Sequence, residues 1–234
     1  MTIFTRICAA LVPLLMLSAC LFTPGKFTSA MDIRKDGAFS FSYVGEIIVA
    51  DPADKMPDAQ TDSGDAASTG KAQPASKPVS KDKQMAEKMR ALVDTLSKER
   101  GFRSVRYVGG TKLSVDYRIN GRLDHSFVFP FNIDAKAIIP FVAVEVRADG
   151  KVRMLAPGFG NDNAQSAAVP MGGLGGGDDG AKERDGTFTL TTDAEIVSQN
   201  QEDGPTDTPQ GKRIVWKITP LTRAAPMMVL KLAQ

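Results

Sequence analysis

Lys112-Leu113-Ser114-Val115-Asp116-Tyr117-Arg118-Ile119 sets an apolar side chain at every second position. That is the period of a β-strand with one face buried and one face in water. The same pattern recurs along the chain. Phe39, Phe41 and Tyr43 alternate with Ser40 and Ser42, and Val142, Val144 and Val146 alternate with Ala143, Glu145 and Arg147. Ile214, Trp216 and Ile218 alternate with Val215, Lys217 and Thr219, Phe188 and Leu190 stand between threonines, and Met228 to Leu232 supplies a last strand. Asp36-Gly37 and Asp149-Gly150 each divide two such runs, and Asp-Gly favours a tight two-residue hairpin with positive φ at both central positions. The flanks, Ile33-Arg34-Lys35 and Val146-Arg147-Ala148, read either as a duplicated unit or as two independent hairpins with the same turn chemistry.

One helix interrupts the strands. Met85, Met89, Leu92, Val93 and Leu96 fall at helical spacing. Ser80 or Asp82 suits the start, Lys98 and Arg100 suit the last turn, and Gly101 suits the stop. The expected fold is therefore α+β: an antiparallel curved sheet or partial barrel with one main helix packed on it.

Residues 51–80 have no aromatic side chain and are built mainly from Ala, Ser, Asp, Pro, Lys and Gly. Such a composition buries too little apolar surface to offset the entropy of ordering. Residues 157–185, with six residues of Gly-Gly-Leu-Gly-Gly-Gly from Gly172, read the same way, and Gln201 to Gly211 reads as a shorter polar loop. Without them, about 150 residues remain, one ordinary domain within residues 20–234.

The N-terminus has its own logic. Arg6 precedes an apolar run containing Leu11, Val12, Leu14 and Leu15, followed by Leu17-Ser18-Ala19-Cys20. The run is about 10 residues, half of what a bilayer span needs, and the layout is that of a secretory signal over residues 1–19. The last four residues match the lipobox of bacterial lipoproteins. They imply acylation of the Cys20 thiol and cleavage between Ala19 and Cys20. Two or three acyl chains on one residue suffice for stable anchoring. Cys8 leaves with the signal, so the mature chain keeps no free thiol and no disulfide. Only Leu21 to Gly25 separate Cys20 from the expected first strand, which holds the domain within about 20–25 Å of the headgroups. Leu21 in place of an acid suggests, by envelope sorting rules, the periplasmic side of the outer membrane.

Tests for chemistry are mostly negative. Lys+Arg total 29 against 27 acids, which gives no basic surplus for nucleic acid. His125 is the single histidine, too few for a His-rich metal site, and no Gly-x-Ser-x-Gly elbow accompanies it. Two Ser-x-x-Lys matches, at Ser68 and Ser80, lie in or beside the low-complexity stretch. No phosphate loop or dinucleotide fingerprint occurs, and the glycine run places its acid one residue late for a calcium nonapeptide. Glu46, after Gly45 in an apolar run, is expected to turn to solvent at a bulge. Ser126 to Val146 is the most apolar mature region. Phe129 and Phe131 there, with Met85, Met89, Leu92 and Leu96 of the helix, are the candidate ligand-lining residues; the alternative is that the same side chains simply fill a core.

The lipobox, the early hairpin from Phe27 to Val49, the helix before a strand series, and the ending Thr187-Phe188-Thr189 … Ile214-Val215-Trp216-Lys217-Ile218 resemble the LppM-type lipoprotein domain. The resemblance implies an envelope α+β module suspected of lipid contact and carries over no catalytic residue. The expected function is that of a non-enzymatic, cofactor-free, lipid-anchored envelope protein. It would bind a lipid, an apolar ligand or a protein partner at the membrane surface, or serve as an assembly subunit docking another envelope protein.

Overall fold

The computed structural model describes residues 21–50, 81–130, 140–161 and 182–233. The expectations for Ala19, Cys20, Phe131 and residues 51–80 lie outside them. The alternating runs form strands: β1 (Leu21–Ile33), β2 (Ala38–Ala50), β3 (Phe102–Gly109), β4 (Lys112–Arg122), β5 (Phe127–Phe129) and β6 (Val142–Val146). Then follow β7 (Lys151–Leu155), β8 (Asp185–Thr192), β9 (Glu195–Gln199), β10 (Thr206–Thr208), β11 (Gly211–Ile218) and β12 (Met227–Lys231). The helix α1 spans Lys81–Leu96 and packs on edge strand β3.

The expected single antiparallel sheet is corrected in two respects. There are two sheets, neither closed into a barrel: a seven-stranded one in the order β10-β11-β8-β1-β2-β4-β3, and a five-stranded one in the order β5-β6-β7-β12-β9. Moreover β1 and β8 pair in parallel, Phe27 beside Gly186 through Ile33 beside Thr192. Parallel partners cannot be joined by a hairpin, and most of the chain lies between these two.

Alternation fixes which side chains meet between the sheets. Met31, Ile33, Phe41, Tyr43, Val115, Phe188, Leu190, Ile214 and Ile218 from one sheet and Phe129, Val142, Val144, Val152, Met154, Met228 and Leu230 from the other share one buried cluster. The opposite face of the larger sheet carries small side chains, such as Thr28, Ala30, Ser40 and Ser42, which are exposed or half-buried.

Both Asp-Gly turns exist, with a geometry different from the expected two-residue turn. Arg34 N–H donates to Ala38 O and Gly37 N–H to Arg34 O; Arg147 N–H donates to Lys151 O and Gly150 N–H to Arg147 O. Only the glycine of each pair needs positive φ, 85° at Gly37 and 74° at Gly150. These are three-residue loops closed by a left-handed glycine. Asp36 and Asp149 each accept from the backbone two residues on. The likeness extends further: Gly37 O accepts from Leu123 N–H, after β4, and Gly150 O from Leu232 N–H, after β12. Each hairpin with its third strand is thus the same local unit, used once in each sheet.

Other boundaries shift. The helix ends at Leu96, so Lys98 and Arg100 lie in the turn that follows, before Gly101 at φ 99°. Residues 157–161 and 182–185, assigned by composition to an insertion, belong to the packed structure: Pro157–Phe159 form a 3-10 turn with Phe159 fully buried, and β8 starts at Asp185. The stretch read as a loop from Gln201 contains the short edge strand β10. A bulge does occur opposite Gly45, with the extra residue on β1, where Gly25 and Lys26 face Glu46. Glu46 is half-buried there, and its Oε2 accepts from Lys26 N–H at 3.3 Å.

Gly45 is required by contact. A Cβ there would lie 2.3 Å from Lys26 O and 2.5 Å from Phe27 Cα. Gly110, by contrast, has φ 59° and open space around it. Gly45→Ala should therefore destabilise the protein by more than about 2 kcal/mol, and Gly110→Ala by only about 1 kcal/mol. Urea unfolding midpoints check this, and equal losses would contradict the register assigned to the bulge.

Candidate functional site

The residues singled out from the sequence divide between interior and surface. Met89 and Leu96 are each 1% exposed, while Met85 and Leu92 are half-buried against the same cluster. Phe129 is enclosed by rings: its centroid lies 4.5 Å from Tyr117, 5.1 Å from Phe41, 5.2 Å from Tyr43, 5.9 Å from Phe141 and 6.5 Å from Phe102. Tyr43 is buried here, its hydroxyl donating to Glu46 O at 2.7 Å, and burial pushes its pKa well above the usual tyrosine value. The structure therefore brings Met89, Leu96 and Phe129 together in one core. His125 sits exposed between β4 and β5, paired with its neighbour Asp124. Among the described residues no group of three His, Cys, Asp or Glu side chains could hold a metal, and no helix is long and apolar enough to cross a membrane.

The surface is more informative, because the topology gives the molecule two unlike ends. One end holds both left-handed hairpin loops, around Gly37 and Gly150, joined where Ala233 N–H donates to Lys35 O. At the other end β1 begins. Strand directions place four more features there: the β3–β4 turn, since Ile48 pairs with Lys112; the approach to β8, since Lys26 pairs with Asp185; the exit of β11, since Ile218 pairs with Gly186; and the exit of β7, since Ala156 N–H donates to Pro226 O. The described residues that flank 51–80 on the β2 side, 131–139 and 162–181 also lie at this end.

Two large apolar side chains stand out at this end, one on the turn after β11 and one near the end of β3. Leu221 is 85% exposed and Val108 53% exposed. Leu221 occupies the tip of a turn built by hydroxyls: Thr219 N–H donates to Thr222 Oγ1 at 2.9 Å, and Leu221 N–H donates to Thr219 Oγ1 at 3.2 Å. Side-chain hydroxyls replacing backbone partners in this way fix a short turn. Behind the turn, Asn161 Nδ2 donates to Pro220 O at 2.8 Å, and Asn161 N–H reaches Thr222 O and Arg223 O. Arg184 completes the network, its Nη1 donating to Asn161 Oδ1 at 2.9 Å. On the outer side Lys26, Lys217 and Asp185 border a shallow groove, and Lys112 pairs with Glu183.

None of Leu221, Val108, Asn161 or Arg184 was legible as a site. Leu221, Asn161 and Arg184 are lone residues outside the strands and Val108 is a lone residue near the end of β3, and only the strand directions bring them to one end. The tether also differs from expectation. Strand β1 starts at Leu21, paired with Ala50, so Leu21 to Gly25 is strand rather than spacer.

No family model matches the chain, and no curated protein matches it. Among solved structures the chain is similar to the NMR structure of the folded domain of Mycobacterium tuberculosis LppM, at 14% identity and a TM-score of 0.31, over 91% of this chain and 92% of that one.

The burial difference along α1 has a direct consequence. Leu96→Ala should cost about 2–5 kcal/mol, and half-buried Leu92→Ala clearly less, because the deleted atoms leave a closed cavity only at position 96. Chemical unfolding of the two variants checks this. A larger loss at Leu92 would contradict the helix orientation.

Proposed function

We propose that this chain is a non-enzymatic, lipid-anchored cell-envelope protein that works at the membrane surface, with the β1-start end of the sandwich turned to the headgroups. The observation that carries the reading is the start of β1 at Leu21, immediately after the lipobox cysteine. Acylation at Cys20 would leave almost no spacer, since one residue spans at most about 3.6 Å. The end so placed is the one with Leu221 and Val108 exposed. Isolated apolar tips flanked by polar loops suit shallow insertion among headgroups and acyl chains.

The rings packed around Phe129 favour contact at the surface over an apolar ligand held between the sheets. A second reading, an assembly subunit docking another envelope protein, draws on the outer face of the larger sheet, where Thr28, Ala30, Ser42 and Thr189 are neighbouring small side chains.

Mass spectrometry of protein purified from native membranes tests the anchor. The expected result is a mature N-terminus at Cys20 carrying diacylglycerol, and loss of the protein from salt-washed membranes in Cys20→Ala. An unmodified N-terminus, or a Cys20→Ala protein that still sediments after the wash, would contradict the reading.

A further inference from the structure

Arg184 has no reason to be buried on the terms of the fold alone. It is 5% exposed. It precedes β8 in phase with Gly186, Phe188 and Leu190, the positions that face the core. Its Nη1 donates to Asn161 Oδ1, its Nε meets no acceptor, and among the described residues no carboxylate pairs with it. The acids beside it in sequence are otherwise placed: Glu183 pairs with Lys112, and Asp185 lies opposite Lys26 in the β1–β8 register. Burial depresses the pKa of the guanidinium, yet arginine stays protonated in proteins. A charge withdrawn from water with a donor left open is strongly unfavourable unless an anion completes it.

The guanidinium is held in place by a side chain that is itself fixed. Asn161 is fixed from three sides: its Nδ2 is committed to Pro220 O and its N–H to Thr222 O and Arg223 O, which leaves Oδ1 to hold the guanidinium in place. A planar guanidinium held at one edge presents its remaining donors in a fixed fork, the geometry that matches two oxygens of a phosphate or carboxylate.

We infer that Arg184, oriented by Asn161, is an oxyanion-binding site that takes a phosphate group directly behind the Leu221 turn. The phosphate has two sources, free inorganic phosphate or the headgroup of an anionic phospholipid. The headgroup source rests on the membrane-facing reading above, whereas the oxyanion site itself does not.

The test uses the full lipoprotein purified in a nonionic detergent, comparing wild type, Arg184→Met and Arg184→Lys by thermal unfolding. Inorganic phosphate is titrated against chloride at constant ionic strength. In a second arm, dihexanoyl-phosphatidylglycerol is titrated against detergent alone. The wild type should show a saturable rise in Tm, roughly 5–10 °C at about a hundredfold excess over Kd. The rise should vanish in Arg184→Met and be reduced in Arg184→Lys, which keeps the charge and loses the fork. A rise with inorganic phosphate assigns the free anion, and a rise with the phospholipid alone assigns the headgroup. No rise with either in the wild type, or an equal rise in Arg184→Lys and Arg184→Met, overturns the site. If Arg184→Met does not fold, the wild-type and Arg184→Lys titrations decide it. An unacylated Cys20 alongside an intact phosphate response would sink the membrane reading and leave the site standing.

Discussion

The contact between the two sheets rests on a continuous layer of aromatic rings. Phe27 stacks on Phe159 at 4.5 Å and on Tyr43 at 5.3 Å; Tyr43 meets Phe129 and Phe141; Phe159 meets Phe188, and Phe188 stacks on Trp216 at 5.6 Å. The layer draws on β1, β2, β5, β8, β11 and the turn after β7. Aromatic side chains bury the largest area per residue, and offset or tilted pairs add a further contribution beyond that area. Only a few positions can pass so much volume between two backbones. Hence the glycines at 45 and 186, where a Cβ would collide with the backbone or ring of Phe27.

Strand direction explains why one end of the molecule differs from the other. With β1 parallel to β8 and antiparallel to β2, the tight loops around Gly37 and Gly150 gather at one pole, while the start of β1, the end of β2 and the described residues that flank 131–139 and 162–181 gather at the opposite pole. The latter pole carries Leu221, Val108 and the Arg184–Asn161 network. On the proposed reading, the first of these poles would keep the fold closed while the second would meet the bilayer.

How much of this could be read from the sequence depends on whether the signal is local. The alternation in β4, β6 and β11 and the Asp-Gly turns are local, and they were legible. The parallel pairing of β1 with β8 is not, because parallel strands leave no turn between them and more than half the chain intervenes. Phe159 was lost among glycines and prolines, where composition reads as a loop although a single buried ring anchors it. Arg184 was lost because a charged residue near a polar stretch reads as solvated. Its burial follows only from the strand phase and from Asn161, which lies beyond residues 162–181. The candidate ligand wall on α1 failed to separate from core for a similar reason: a stripe of Met and Leu has the same spacing whether it meets a ligand or a sheet.

The central claim is that the pole where β1 begins faces the bilayer. The most direct measurement is the membrane depth of a nitroxide placed by Leu221→Cys, against one placed by Asp36→Cys, in the acylated protein reconstituted in phosphatidylglycerol-containing bilayers. The account predicts oxygen-rich, water-poor accessibility at position 221, as for a label at the acyl boundary, and aqueous accessibility at position 36. Aqueous accessibility at both positions, or burial at 36 and not at 221, would contradict it.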